Sequence, residues 1–566
     1  MKFRYFVRHF LYAIVFTVCF SACSKNEKGN AKTDKEVVLK ADAFDSTRSN
    51  ISKRLAELFS LDSIPAYGVD TIKSSGSLSG LYEREKNLYK RNNYQPFWLY
   101  EERIQQILEV LHSAHSDGLN PEDYQYSALK KAYTDYLKDG ITTDEALFLE
   151  TGISRSVLLY VNHLYKGKAD PRTIFPEWNY KEPASEIVSD SMLVCYFTSN
   201  LDSLPIILRP KYEIYHALRK TLKLVDSLGG QAIYLEKIPY VEHTLVLGDT
   251  SYTIYAIKKR LQSTSEYNID SLNNVFDLQL YESIKTFQTH VGVSASGKLD
   301  KRTIDKLNFT VEEVRSAILV NMERFRWLPN DLPKEFVLVN IADYTLRHFI
   351  DRNVVYEESV IVGREYTSTP VFEAMMTYIE FNPYWTVPRS IAVKEMLPSL
   401  KRNPNYLQSH NMDLFNGNTA VGIPGSFTNY TADNFPFTIR ENPGPKNSLG
   451  QVKLMFPNPY SIYLHDTPGK YLFERDERSF SHGCIRLKDP LKFALHILSK
   501  QGITQAQIDK IIRDKKNYVI SLKEKLPVMI TYFTCYSKKG DSHLYFFKDI
   551  YGKDQKIIDA LQEKIL

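Results

Sequence analysis

Cys484 lies in the run Ser481-His482-Gly483-Cys484-Ile485-Arg486-Leu487, and a second histidine, His465, ends the strand-like segment Ser461-Ile462-Tyr463-Leu464. A free cysteine titrates at about 8.5, so only a small fraction is thiolate at neutral pH; a neighbouring imidazole that takes the proton makes a working nucleophile. Gly483 leaves the backbone room for a sharp turn, and amides around a nucleophile on such a turn can face a developing oxyanion. These residue types point to acyl transfer by a thiol. His482 stands nearer to Cys484 along the chain than His465 does, so spacing alone leaves either as the base. His465, His482 and Cys484 are also conceivable zinc ligands, but no Cys-x-x-Cys or His-Glu-x-x-His spacing accompanies them. Cys195 and Cys535 sit in apolar surroundings and read as small buried hydrophobes.

A histidine, fifteen residues, then Ser-His-Gly-Cys with an apolar residue and arginine resembles the signature of the L,D-transpeptidase catalytic domain. The likeness extends through Asn442-Pro443-Gly444-Pro445, Asn447-Ser448-Leu449-Gly450, Phe456-Pro457-Asn458 and Tyr463-Leu464-His465-Asp466-Thr467-Pro468. With the rest of the chain, it resembles the large multidomain L,D-transpeptidases of Gram-negative bacteria. The resemblance implies Cys484 as nucleophile and His465 as its base, oriented by the backbone carbonyl of the next residue. Gly483 and Ser481 at the turn, His482, which would orient that turn or help the oxyanion site, and Tyr463, two residues before His465 on the same strand face, are candidates for site support. Arg486 is a candidate for holding a substrate carboxylate, or for a structural salt bridge. The implied substrate is the peptidoglycan tetrapeptide stem, cut before its terminal D-alanine through a thioester and passed to an amine as a 3→3 crosslink. Hydrolysis of the same thioester (an L,D-carboxypeptidase), attachment of a protein to the wall, and a non-catalytic wall-binding lipoprotein are the competing functions. No cofactor or metal is called for by any motif.

Several elements must position these residues. A chain of 566 residues implies several cores, and its 43% apolar content and formal charge of +5 give no sign of disorder or of a nucleic-acid partner. Lys2, Arg4 and Arg8 precede an apolar run from Phe10 to Phe20, closed by Ser21-Ala22-Cys23; this reads as a secretory signal resembling a lipobox, with Cys23 the lipidated residue. The expectation is a cell-envelope lipoprotein of a Gram-negative periplasm, reaching the membrane through its lipid and meeting peptidoglycan stems and glycan.

The expected architecture is multidomain α+β. A signal peptide occupies 1–22 and a polar, flexible tether 23–59. A helical scaffold domain follows over 60–240, where Ile104, Ile107, Leu108 and Leu111 repeat at helical spacing, as do Val157, Leu158, Val161 and Leu164. Residues 241–312 resemble a small three-helix peptidoglycan-binding module with Leu280, Ile284 and Phe287 on one core face. After a linking helix from Val314 to Trp327 the pattern turns to period two, predicting over 313–540 a β-rich catalytic domain, either a sandwich or an α+β arrangement, with the reactive pair at a sheet edge. Its strands are expected to include Phe336–Ile341, Tyr344–Ile350, Val354–Val362, Ser461–Leu464, Tyr518–Leu522 and Val528–Cys535, with Cys484 just before a helix that Asp489-Pro490 opens. Between 386 and 450 the Pro, Asn, Gly and Thr content predicts an inserted capping loop with one short helix, Ile391–Leu400. Residues 541–566 read as a C-terminal extension.

Overall fold

The structure, a computed structural model, describes residues 47–60, 78–181, 188–229, 237–263, 269–330, 332–403, 405–537 and 543–563. The signal segment and Cys23 lie outside them. Four separate hydrophobic cores organise the described residues into a multidomain α+β molecule.

The first core is helical. Residues 47–60, inside the expected tether, form a helix instead. Ile51, Leu55 and Phe59 recur every four residues and are buried in the scaffold, a stripe that the polar composition of the segment masked. The helix Glu101–Ser113 buries Ile104, Ile107, Leu108 and Leu111 as its spacing predicts, and the long helix Thr143–Lys166 starts in a Thr142/Glu145 capping box. Cys195 is a correction: on the helix Asp190–Ser199, Leu193 and Phe197 face the core, so the residue between them is exposed. The second core is the three-helix module, Tyr252–Ser263, Leu278–His290 and Lys301–Leu307, with Leu280 and Ile284 fully buried and Phe287 packed against them.

The largest core lies within and around a β sheet. Its strands are β1 (Glu335–Asn340), β2 (Thr345–Ile350), β3 (Asn353–Gly363) and β4 (Phe372–Phe381). The insert carries β5 (Trp385–Thr386), β6 (Met412–Asn416), β7 (Thr419–Val421) and β8 (Thr438–Glu441). The main sheet resumes with β9 (Val452–Met455), β10 (Leu464–His465), β11 (Ser479–Ser481), β12 (Ile485–Leu487) and β13 (Tyr518–Thr531). Its order is β11-β3-β12-β10-β9-β4-β13-β1-β2, and β2 pairs in turn with β3, so the sheet closes on itself. The reactive pair therefore does not sit at an edge: β10 is flanked by β9 and β12, and β12 by β10 and β3. Two predicted strands, 518–522 and 528–535, are one long strand that shifts register between Ser521 and Leu526; Cys535 belongs to the short strand β14 (Cys535–Ser537) and is buried.

Neighbouring segments complete this core. The helix Val311–Arg326 packs on it, as do Phe175 and Tyr180 from the scaffold side and Leu218 and Leu222 of the helix Glu213–Gly229. The residues expected as a C-terminal extension place β15 (Leu544–Phe546) against β14 and bury Tyr551 and Ile557 in the same core.

The insert folds as a small unit of its own. Arg389–Ile391, a π-helical segment Ala392–Met396 and Leu397–Arg402 form one helix, and β5-β8-β6-β7 form a sheet. Met396, Leu400, Leu414, Phe427, Phe435 and Ile439 are among the residues of its core. Its first and last strands pair with each other, Trp385 opposite Glu441.

Candidate active site

Strand register assembles the site. β10 and β12 run parallel with Leu464 opposite Ile485 and His465 opposite Arg486, while β9 sets Lys453 opposite His465. Side chains alternate faces along a strand, and paired residues share a face. Leu454, Leu464 and Ile485 are fully buried in the core. Lys453, Tyr463, His465, Cys484 and Arg486 therefore stand together on the opposite face. Tyr463 and His465 are in ring contact at 5.6 Å, and the Lys453 ammonium lies 4.4 Å over the Tyr463 ring. Cys484 lies opposite Tyr463 in this register, so His465, two residues further on, is its diagonal neighbour on the same face.

Cys484 does not directly precede a helix; the strand β12 separates it from the helix Pro490–Leu498. The turn that presents it is built from its own residues. Gly483 has φ +114°, a conformation that disfavours a side chain, and a Cβ there would meet Ile462 at 3.3 Å. The buried Ser481 hydroxyl accepts from the Gly483 N–H at 3.1 Å and donates to the Cys484 carbonyl at 2.5 Å, closing the turn. Thr369 Oγ1 donates to the Gly483 carbonyl at 2.7 Å and accepts from the Gly363 N–H at 2.9 Å. Tyr551 completes this brace, accepting from the Thr369 N–H at 3.1 Å and donating to the Gly363 carbonyl at 2.8 Å. The Cys484 thiol points at the Ser461 carbonyl, 3.7 Å away. Ser461 sits at φ +55° on a turn held by Asn458, whose amide bonds both Phe456 and Ile462 carbonyls at 2.7 Å.

His465 is buried, and its Nδ1 meets the Asp466 carbonyl at 2.5 Å. That contact places the proton on Nδ1 and leaves Nε2 as the free acceptor. The Asp466 side chain is turned elsewhere, accepting from the Gln451 and Thr467 amides and pairing with Lys470 at 2.7 Å. Burial, then the Arg486 charge, lowers His465 to about 3. Burial raises the Cys484 thiol above its ordinary value, while hydrogen bonds with Tyr463 and the charges of Lys453 and Arg486 pull it down. The resting pair is thus a neutral thiol beside a neutral imidazole, with its cations ready for charge that develops during reaction.

Arg486 is largely buried beside this pair, its guanidinium lowered by burial, and its Nε has no hydrogen-bond partner among the described residues. No carboxylate of the described chain pairs with it. A buried guanidinium left open on the nucleophile's face suits an incoming carboxylate. His482 points away from the thiol and bonds Glu395 of the insert's π-helical segment at 2.7 Å. The predicted residues Tyr463, His465, Cys484 and Arg486 thus converge, Ser481 and Gly483 shape the turn, and His482 joins it to the insert. Sequence reading missed Lys453, Thr369, Glu395 and Tyr551. A lysine between Val452 and Leu454 in an apolar strand was the one legible signal among them.

Known proteins resemble this chain domain by domain. Residues 334–509 match the L,D-transpeptidase catalytic domain (YkuD), residues 84–222 a "Scaffold domain" and residues 250–307 a "Putative peptidoglycan binding domain". A Haemophilus influenzae protein named "Putative L,D-transpeptidase" is 28% identical over 353 residues, spanning 60% of this chain and 70% of its own length. Solved L,D-transpeptidase structures from Xylanimonas cellulosilytica and Stackebrandtia nassauensis share 13% and 12% identity, each over 52% of this chain and 99% and 96% of theirs. Their TM-scores of 0.18 and 0.21 are too low to bear on the fold. The β-rich unit around Cys484 is an L,D-transpeptidase catalytic domain. The chain as a whole is an L,D-transpeptidase that also carries a scaffold and a peptidoglycan-binding-type module.

Proposed function

We propose that this enzyme forms 3→3 crosslinks in peptidoglycan. Cys484 Sγ attacks the carbonyl between the third stem residue and the terminal D-alanine as its proton passes to His465 Nε2. The C–N bond then breaks, His465 returns the proton to the leaving amine, and D-alanine departs from a thioester on Cys484. The amine of a second stem attacks the thioester, gives its proton to His465 and releases the thiolate, which regains that proton. Arg486 holds a stem carboxylate, and Lys453 adds positive charge where the oxyanion develops. The observation that carries this reading is the shared face of Cys484, His465 and Arg486, with a guanidinium that no carboxylate of the described residues occupies.

The test uses purified disaccharide-tetrapeptide with wild type and Cys484→Ala, with products read by mass spectrometry. Wild type should release D-alanine and form dimer, and the variant neither, while still sedimenting with sacculi. Crosslinking retained by Cys484→Ala would sink the assignment; D-alanine without dimer would make the enzyme a carboxypeptidase. The same reading places the protein in the Gram-negative cell envelope, anchored through a lipid on Cys23. Loss of metabolic palmitate label in Cys23→Ala is the expected result, and label retained would refute the anchor.

A further inference from the structure

A second substrate needs a second place to bind, and the site face described above accounts for one stem alone. Close in sequence to the catalytic turn, residues 474–480 and the three-helix module enclose a cavity of about 780 Å³, within the usual range for ligand sites. The module's orientation there is fixed. His290 stacks on His543 at 4.6 Å, Phe309 meets Phe546 edge-on at 6.2 Å, and Gly292, at φ +67°, approaches the Phe546 carbonyl so closely that a Cβ would lie 2.6 Å from it. Across the cavity floor, Arg302 of the module pairs with Asp476 of the catalytic domain at 2.9 Å. The groove is therefore a feature built from two units.

Its walls are polar and its unspent charge is positive. Thr244, Ser294 and Ser296 offer hydroxyls from the module, and Lys298 and Arg475 face the cavity from opposite sides. Asp300 and Asp476 are engaged by Arg302, Glu477 by Lys548 at 2.6 Å, and the fourth lining acid, Glu474, by Lys488 at 3.9 Å. Neither Lys298 nor Arg475 pairs with a carboxylate among the described residues. Such a groove fits a peptide with free carboxylates and amides. It ends at Phe480, four residues before Cys484, so its mouth lies no more than about 14 Å of extended chain from the thiol.

The geometry points to this groove as the acceptor subsite: Lys298 and Arg475 hold the carboxylates of the second stem peptide, whose free amine leaves past Phe480 toward the thioester on Cys484. This rests on the crosslinking reading above and adds where the acceptor binds. The module is then part of the reaction rather than a remote wall anchor.

The experiment uses the full chain with disaccharide-tetrapeptide, comparing wild type, the double variant Lys298→Ala/Arg475→Ala, and Ser294→Trp, which fills the groove without touching charge. D-alanine release, read as the first-turnover burst before the thioester is resolved, reports the donor half-reaction, and the ratio of dimer to hydrolysed product reports the acceptor. Both variants should lower that ratio about tenfold, with D-alanine release within twofold of wild type and the acceptor concentration for half-maximal dimer raised in the double variant. An unchanged ratio in both variants overturns the proposal. Loss of D-alanine release together with dimer would assign the groove to the donor and overturn it equally. Wild type that releases no D-alanine would instead defeat the crosslinking reading itself.

Discussion

The hydroxyl of Tyr551 donates to the carbonyl of Gly363 at 2.8 Å, tying a residue near the C-terminal end of the chain to the end of β3. The same oxygen accepts from Thr369, whose side chain holds the Gly483 carbonyl, so one phenol braces the nucleophile's turn through a single intermediary. Tyr551→Phe keeps the ring stacked on Tyr532 and removes only these bonds. The expected result is a destabilisation of about 1 kcal/mol in chemical denaturation. The rate of acylation by a β-lactam should fall roughly tenfold, about the free energy of one such bond. An acylation rate equal to wild type would show that the turn holds its shape without the brace.

Gly483 is the stricter test of that shape. At φ +114°, Gly483→Ala strains the backbone by about 1–2 kcal/mol and presses a methyl toward Ile462. Acylation should be lost even where a thermal melt shows the protein folded; full activity in a folded variant would mean that the turn adjusts freely.

The resting protonation states predict a pH dependence. The Cys484 thiol is raised by burial, so its thiolate fraction at neutral pH is below that of a free cysteine. Alkylation of the free enzyme by iodoacetamide should be slow at pH 7 and still be rising at pH 9. A plateau near pH 6 would reveal a preformed thiolate–imidazolium pair. His465, at about 3, contributes with the sign of a buried neutral base. Between its ordinary value of about 6.5 and about 3 the unfolded chain binds the proton that the folded chain refuses, so stability falls as pH falls through that window. His465→Gln should flatten this part of the denaturation profile; an unaltered slope would place the effect elsewhere.

His482 and Glu395 join the catalytic turn to the insert at 2.7 Å, with both side chains partly exposed. A pair of this kind is worth about 0–1 kcal/mol. Glu395→Ala should therefore quicken hydrogen exchange in 389–402 and raise the β-lactam acylation rate up to about fivefold. A slower reaction would show that Glu395 assists the chemistry instead of restraining access.

Arg486→Lys keeps the charge and loses the planar fork. It should raise KM for the tetrapeptide about tenfold while leaving iodoacetamide reactivity within twofold of wild type. An unchanged KM would make Arg486 structural.

Local patterning made much of this legible. The thiol, its histidine and the turn lie within twenty residues, while short apolar runs over 336–362 and helical spacing over 101–164 report segments that pack. What escaped depends on contacts between distant segments. Closure of the sheet needs β2 to meet β3 while β13 runs parallel to β1, and no local signal specifies that pairing. Lys453 joins the site only through its register with His465, and Tyr551 only through the loop after β3. In the insert, β6, β7 and β8 are three to five residues long among Asn, Gly and Thr, too short for alternation to show. The helix at 47–60 was missed for the opposite reason: three apolar residues suffice to dock it, and composition outvoted their spacing.

The pairing of Trp385 with Glu441 brings the entry and exit of the insert together, so a unit with its own core joins the barrel by one narrow stalk. The pair His482 and Glu395 ties the same unit to the catalytic turn, so a door hinged at the stalk is latched there. With that latch open the stalk alone remains, and a small rotation there is magnified beside the turn of Cys484. Such an attachment also lets the insert change in size or sequence with little disturbance to the strands beneath.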